Sequence, residues 1–382
     1  MSKQKICIIG DGLAGLTAAI ILSKENIEID LYSNENKNKK TKKDNRTTAI
    51  SESNYKFIKK KLNLGNQNFM WPSKQVNLFF EDKNIIKNFL NFDEKNKNFM
   101  YVFQNKDLKK ALNKITLKSK SINVIKKNIK NVDYDQGFVI VNQKKIFYEL
   151  IILCIGSNSS LYSKIEQGKS IKKNYHELAM TTIIEHNSKI ENASQFFLKE
   201  GPLAILPFKK KMFSVVWSVD SSFFIKNKKK LKKILIKKIC TLVNKISIKK
   251  MTDIQSYPIY LNLKTKYFKK NILILGDGLH SIHPMAGQGF NLILRDIKKL
   301  SELMTSTLKL GLLIKNSFLL KNFYDARKPE NNILGLGINL TNLFFKDNKY
   351  FFPIKRTILN NIANFKFIKK MSQIISDKGI TT

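Results

Sequence analysis

The hexapeptide GDGLAG at residues 10–15 has the glycine spacing that a pyrophosphate needs. Gly10 permits a tight turn, Gly12 lets an anion approach the backbone, and Gly15 lets the next helix pack on a sheet with its N-terminus facing the negative charge. GxGxxG alone is a weak signal. Here it follows an apolar strand at residues 5–9, opens a helix at 16–23 and lies near the N-terminus, so dinucleotide binding is a better reading than a structural turn. The acid that commonly meets the adenine-side ribose belongs at the end of the next strand, residues 27–32. Ser33 stands there with Glu35 following, so either Glu35 swings in or that contact is weak. A later GLG at 335–337 lacks the strand–helix setting and reads as a helix end or a close packing contact.

The stretch ILILGDGLHSIHPMAGQGFNLILRD, residues 272–296, is the second candidate. A strand at 272–275 delivers Gly276-Asp277 into a glycine loop that opens a helix at 289–307. Such a loop offers one carboxylate for sugar hydroxyls and several backbone N–H groups for an anionic or electron-rich ring. Asp277 reads as a ligand contact or a turn cap, and Gln288 and Asn291 as ligand contacts or helix caps. His280 and His283 have the spacing of a metal pair, but no cysteine or paired carboxylates complete a site, so no metal is expected. His283 reads as a packing or loop histidine.

Residues 276–296 resemble the second flavin-contacting motif of the FAD-dependent aromatic-ring monooxygenases, in the ubiquinone-biosynthesis hydroxylase branch. That motif runs GDAAH, a histidine and proline, GQG, an asparagine and an arginine–aspartate pair. NRTTAIS at 45–51 resembles the family's arginine motif, GPLAILP at 201–207 its GPxAxLP segment, and FYDARKP at 323–329 its tyrosine–arginine segment; 353–379 follows its C-terminal helix. Only four arginines occur among 69 Lys+Arg. Arg46, Arg295 and Arg327 lie in these motifs and Arg356 near the start of the C-terminal segment, as expected where lysine cannot replace a planar fork.

The resemblance implies FAD as cofactor, NAD(P)H as co-substrate and O2. It implies cofactor contacts by Gly10, Gly12, Leu13, Ala14, Gly15 and Ser33 at the pyrophosphate and ribose end, by Arg46 near the phosphates and mouth, and by Asn105 near the ribityl region. Gly276 and Asp277 would meet the ribityl chain, and Pro284, Gly287, Gln288, Gly289, Phe290 and Asn291 the isoalloxazine ring. No side-chain nucleophile is implied: catalysis is flavin-centred, beside the ring-side loop of Pro284, Gly287 and Gln288. The implied reaction hydroxylates the ring of a polyprenylated phenol in ubiquinone biosynthesis through a flavin C4a-hydroperoxide. Leu203, Ile205, Phe213, Val215 and Trp217 are the expected contributors to the roof over that ring, with alternate residues serving the core.

One motif departs from the family. Where an A-D-G followed by an arginine or lysine is usual, Cys154-Ile155-Gly156 and Tyr162 supply neither acid nor arginine, which bears on NAD(P)H handling. A second reading is therefore a non-catalytic FAD-binding subunit or scaffold of a quinone-biosynthesis complex. No Ser/His/Asp set or carboxylate pair asks for hydrolysis.

These motifs need a βαβ opening at residues 5–32, strands at 123–125, 139–141 and 148–155, and a helix around 108–115 to position them. Between about 179 and 263 short strands predominate, interrupted by a lysine-studded helix at 228–245, which reads as a largely antiparallel layer. The expected fold is α/β: a Rossmann-type FAD-binding domain (1–70, 105–165 and 265–330), an interleaved antiparallel-sheet substrate domain (71–104 and 166–264), and a C-terminal helical segment (331–382).

The net charge is +40, from 69 Lys+Arg against 29 Asp+Glu. Lysine, asparagine, isoleucine and phenylalanine are abundant together, so compositional drift explains this better than function. Attraction to an anionic bilayer comes next, and nucleic acid last, since no zinc-finger or RNA-recognition signature accompanies the charge. Lysine clusters at 37–43 and 226–233 read as solvated faces. Cys7, Cys154 and Cys240 lack metal-ligand spacing and fit a reducing compartment. With no room for a signal peptide and no apolar run of about 20 residues, the expected location is cytoplasmic, with a peripheral position on the inner face of the membrane. The C-terminal helical pattern from Ile354 to Ile375 either packs on its own protein or meets that surface.

Overall fold

Parallel strands buried on both faces read as unbroken apolar runs, and the first sheet is built from such runs. In this computed structural model its order is Phe268–Lys269, Ile272–Ile274, Leu150–Leu153, Lys5–Ile9, Glu28–Ser33 and Ile122–Lys126, parallel except for the edge pair Phe268–Lys269 with Ile272–Ile274. The structure describes residues 3–33, 44–64, 68–93, 97–157, 159–166, 170–315, 318–346, 357–359 and 366–379. Registers Ile9↔Leu153 and Leu153↔Ile274 bring three strand ends level, so Gly10, Cys154 and Gly276 emerge side by side. A parallel α/β sheet binds ligands at that edge. Helix Leu13–Leu22 covers the sheet and packs against helices Asn105–Lys118 and Gly289–Lys309.

The second layer is a nine-stranded sheet. Its central strands, Gln255–Lys264, Ser170–His186, Met212–Asp220, Gly201–Lys209 and Ala193–Leu198, are antiparallel neighbours. Ala193–Leu198 then pairs in parallel with Gln75–Asp82, which forms a hairpin with Ile85–Asp93. At the other edge His280–Ser281 pairs with Asn262 and Leu263. The glycine loop after Ile272–Ile274 therefore leaves one sheet and enters the other, and this stitch fixes the gap between them. A small sheet of Thr47–Ser51, Met100–Gln104 and Trp71–Ser73 closes one side.

Four expectations are corrected or refined. The helix expected at 228–245 is two, Ser221–Asn227 and Leu231–Leu242; Asp220 caps the first by accepting from the Ser222 N–H at 2.8 Å. The strand at 148–155 is only Leu150–Leu153, because the chain turns away toward Gly156 at φ 79°. The strand at 139–141 belongs to a separate three-stranded sheet. The GLG at 335–337 is no helix end: it lies inside helix Leu319–Phe345, where a Cβ on Gly335 would stand 2.8 Å from Leu263 Cδ2. Close packing is its reason. That helix runs uninterrupted through residue 331. Glu35, the cluster at 37–43, Pro353, Ile354 and Arg356 lie outside the described residues. Among the described residues no helix is long and apolar enough to cross a membrane.

Candidate functional site

Between the level strand ends and the open face of the nine-stranded sheet lies a cavity of about 1390 Å³. A pocket for one drug-sized ligand measures roughly 300–1,000 Å³, so there is room for a dinucleotide and a ring beyond it. At the nucleotide end the three glycines divide the work. A Cβ on Gly15 would fall 1.9 Å from the Gly10 carbonyl oxygen, and one on Gly10 2.3 Å from that of Cys154, so both let backbones meet. Gly12 faces open space in the cavity lining, beside Leu13 and Ala14, as close approach of a ligand requires.

Asp277 follows the third strand end between buried Gly276 and Gly278, and its own side chain is exposed to the cavity. Removal from bulk water pushes its pKa up, against the pull of His280 and Arg46. Arg46 lines the same cavity with its guanidinium 5.2 Å from the Tyr257 ring and its fork closed on Asp44 at 3.0 and 2.9 Å. Asn105 accepts a hydrogen bond from Thr48 Oγ1 at 2.7 Å, which aims its amide along the wall.

Pro284, Gly287, Gln288, Gly289 and Phe290 all reach the lining. Asn291 does not line this cavity. Its Oδ1 accepts from the Ser51 N–H (2.9 Å) and Asn54 Nδ2 (2.8 Å), while its Nδ2 donates to the carbonyls of Ala49 (3.1 Å) and Gly287 (3.0 Å). The side chain expected at a ligand ring staples the loop to strand Thr47–Ser51 instead. Gly10, Gly15, Ser33 and Gly276 are also absent from the lining. Gly276 sits where a Cβ would come 2.9 Å from Ala14 Cβ, so it joins the two glycine loops.

The two histidines part company. His280 Nε2 pairs with Asp296 Oδ2 at 2.6 Å, and Arg327 Nε donates to Asp296 Oδ1 at 2.7 Å, all buried. Burial pushes the Asp296 carboxyl up, but Arg327 and His280 overcome it and hold its pKa below the usual value. Arg327 also pairs with Glu330, and Arg295 donates to the Ser376 carbonyl at 2.9 Å, tying down helix Lys366–Lys378. Ser372 and Ser376 of that helix reach the cavity.

His283 lines the cavity, but both ring nitrogens are engaged. Nδ1 accepts from the Met285 N–H at 3.1 Å, so Nε2 carries the proton toward Glu177 Oε2 at 3.0 Å. Glu177 follows a bulge in strand Ser170–His186, between Asn174 and Glu177, where His176 adopts φ 54°. Burial raises the Glu177 pKa, while His283 and Lys346 bring it below its ordinary value. Sequence reading missed Glu177, since a bulge that re-aims one carboxylate leaves no periodic mark.

The expected roof is corrected. Leu203, Ile205, Phe213, Val215 and Trp217 point away from the cavity and pack on Leu231, Leu235 and Ile239 of helix Leu231–Leu242. The alternate residues Ala204, Leu206 and Val216, with Ala179 and Thr181, face the cavity. Side chains alternate along a strand, and the helix claims one face. Leu78, Phe92, Phe197 and Met285 extend the apolar wall.

At the departed motif, Tyr162 is buried, donates to the Gly156 carbonyl at 2.7 Å and presses on Gly278, where a Cβ would lie 2.2 Å from its hydroxyl. Burial drives its pKa above the ordinary value and keeps it a neutral donor. A packed phenol stands at the expected arginine position, and Ile155 at that of the acid.

Residues 225–375, less than half of the chain, match the family model described as squalene epoxidase. The mitochondrial ubiquinone biosynthesis monooxygenase COQ6 of Dictyostelium discoideum is 26% identical over 276 residues, 59% of this chain and 55% of that protein. Ubiquinone hydroxylase UbiL of Rhodospirillum rubrum is 28% identical over 190 residues, 45% of this chain and 41% of that protein. The chain spans about half the length of the curated relatives it matches. Among solved structures, p-nitrophenol 4-monooxygenase PnpA from Pseudomonas putida DLL-E4 superposes with a TM-score of 0.78 at 12% identity, covering 100% of this chain and 99% of that one. Klebsiella pneumoniae HpxO, complexed with FAD and uric acid, gives 0.75 at 14% identity, over 98% of this chain and 97% of that one. The fold is the two-layer α/β fold of the FAD-dependent aromatic-ring monooxygenases, as expected.

Proposed function

We propose, from that fold, that the chain is an NAD(P)H-dependent flavoprotein monooxygenase that hydroxylates the aromatic ring of a polyprenylated phenol in ubiquinone biosynthesis. One observation carries the reading: a single cavity joins a pyrophosphate-type glycine turn at Gly12 and the carboxylate of Asp277 to an apolar sheet face of Ala204, Leu206 and Val216. The similarity to COQ6 and UbiL favours the quinone-pathway substrate.

In the overall reaction one ring C–H becomes C–OH, the second oxygen atom of O2 leaves as water, and NADH or NADPH supplies the two electrons. FAD, when bound, supplies the electron transfer and oxygen activation that no side chain here can provide. The chain's residues bind, orient and exclude water. Gly12, Leu13, Ala14 and Arg46 would hold the pyrophosphate end; Asn105 and Asp277 the ribityl hydroxyls; and Pro284, Gly287, Gln288, Gly289 and Phe290 the ring. Gly10, Gly15, Gly276 and Asn291 shape these loops, and Ser33 is left for the ribose. His283 is not a free base, because both its nitrogens are engaged. The apolar face keeps water from the reacting carbon.

On this reading 1–70, 105–165 and 265–330 form the FAD domain and 71–104 with 166–264 the substrate domain. Residues 331–382 are the C-terminal helical segment, and the protein works in the cytoplasm at the inner face of the membrane. The test is anaerobic mixing of the purified FAD-loaded chain with NADH or NADPH, then O2 and a prenylated phenol, with mass analysis. Bleaching of the flavin and a product one oxygen atom heavier are expected. Bound FAD that neither nicotinamide reduces would favour the second reading, a non-catalytic subunit, in line with Ile155 and Tyr162 at the positions of the expected acid and arginine.

A further inference from the structure

Helix Leu319–Phe345 ends in a stretch, residues 331–345, without one charged side chain, in a protein of which 26% is charged. Ile333, Leu336, Leu340, Leu343 and Phe344 are exposed there by 55%, 38%, 64%, 45% and 37%. Their spacing of three and four puts them on one face of the helix. Contiguous exposed apolar surface of this kind marks a docking site rather than ordinary exterior.

The inner side of the same turns meets the cavity. Thr341 belongs to its lining. Phe345 stacks on Phe197 with ring centroids 3.5 Å apart, within a cluster that includes Phe92 and Met285. An apolar seam therefore runs from the cavity to the exposed face. Two lysines flank it: Lys346, 49% exposed and paired with Glu177 at 2.6 Å, and Lys173, whose Nζ donates to Asn339 Oδ1 at 3.3 Å.

We propose that this face docks on an anionic lipid bilayer, seating the seam against the membrane so that an isoprenoid tail can pass between bilayer and cavity. The passage of a tail rests on the polyprenylated-phenol reading above; the docking does not. Charge selects the occupant. A chain of net charge +40 is attracted to an anionic surface, whereas a second copy brings another +40 to the same contact.

The test uses the full chain with vesicles of phosphatidylcholine alone or with phosphatidylglycerol added. Co-sedimentation is expected with the anionic vesicles, weakening as salt rises. The variant Leu336→Gln/Leu340→Gln/Phe344→Gln should partition about tenfold or more weakly while keeping its circular dichroism and unfolding temperature. In a second measurement, Leu340→Cys in a Cys240→Ser background carries a polarity-sensitive dye, since Cys7 and Cys154 are buried. Its emission should shift to the blue on anionic vesicles. The proposal is overturned if the chain does not sediment, if the triple variant sediments equally, if the dye does not respond, or if light scattering shows a dimer that the triple variant abolishes. None of these readouts involves flavin, so docking can fail while the flavin reading stands, and the reverse.

Discussion

Asp277 and Asp296 stand nineteen residues apart in one glycine-rich segment, and the fold treats them oppositely. Asp296 is fully buried and held on both oxygens by His280 and Arg327, so its pKa is lowered. Asp277 faces the cavity, and desolvation raises its pKa. A carboxylate satisfied within the protein fastens structure, while one desolvated and left open is available to a ligand. The nine-stranded sheet repeats the contrast across its thickness, with Val215 and Trp217 under a helix and Val216 facing the cavity.

The largest effect should come from breaking the fastened side. Asp296→Ala leaves Arg327 and His280 buried without their carboxylate, and about 3–5 kcal/mol of stability should be lost in urea unfolding. Because the folded pKa of Asp296 is depressed, its contribution is present above the ordinary aspartate value of about 3.9 and disappears as pH falls through the folded value. The acid limb of the wild-type stability curve should flatten in this variant. Across the sheet, Trp217→Ala should cost about 3–5 kcal/mol, whereas Val216→Ala should cost about 1 kcal/mol or less and alter substrate affinity instead. Equal losses at the two positions would remove the distinction between the faces.

Asp277→Asn sharpens the comparison with the smallest change in stability. In FAD-free protein at acid pH, where Asp277 is protonated, it should stay within about 0.5 kcal/mol of wild type, and at neutral pH it should bind FAD at least about tenfold more weakly by equilibrium dialysis. The sign is opposite to that of Asp296. A raised folded pKa means stability is full below the ordinary aspartate value and declines as pH rises through the folded one. The Asn variant should lack that decline.

Much of this was legible from residue types. The turn at 10–15, the strand at 5–9 and the loop after 275 carry local chemistry that needs no tertiary partner to be read. Arginine scarcity also informed: Arg295 and Arg327 hold buried acceptors with their forks, and Arg46 stands in the cavity wall. The side-chain role of Asn291 was not legible, because an amide beside a glycine loop has the same signature whether it faces a ligand or bonds to a strand. Glu177 was invisible because its reach to His283 depends on a bulge and on two elements more than one hundred residues apart.

Residue types alone dictate where the backbone must turn tightly, which runs are buried on both sides, and which positions demand a planar fork. These follow from missing Cβ atoms, unbroken apolar runs and guanidinium geometry, all local properties. Which face of an alternating strand looks into the cavity depends on what packs against the sheet. Leu203 and Ala204, or Val215 and Val216, are interchangeable by periodicity. Helix Leu231–Leu242 covers one face of their sheet, and the other face is thereby left to the cavity.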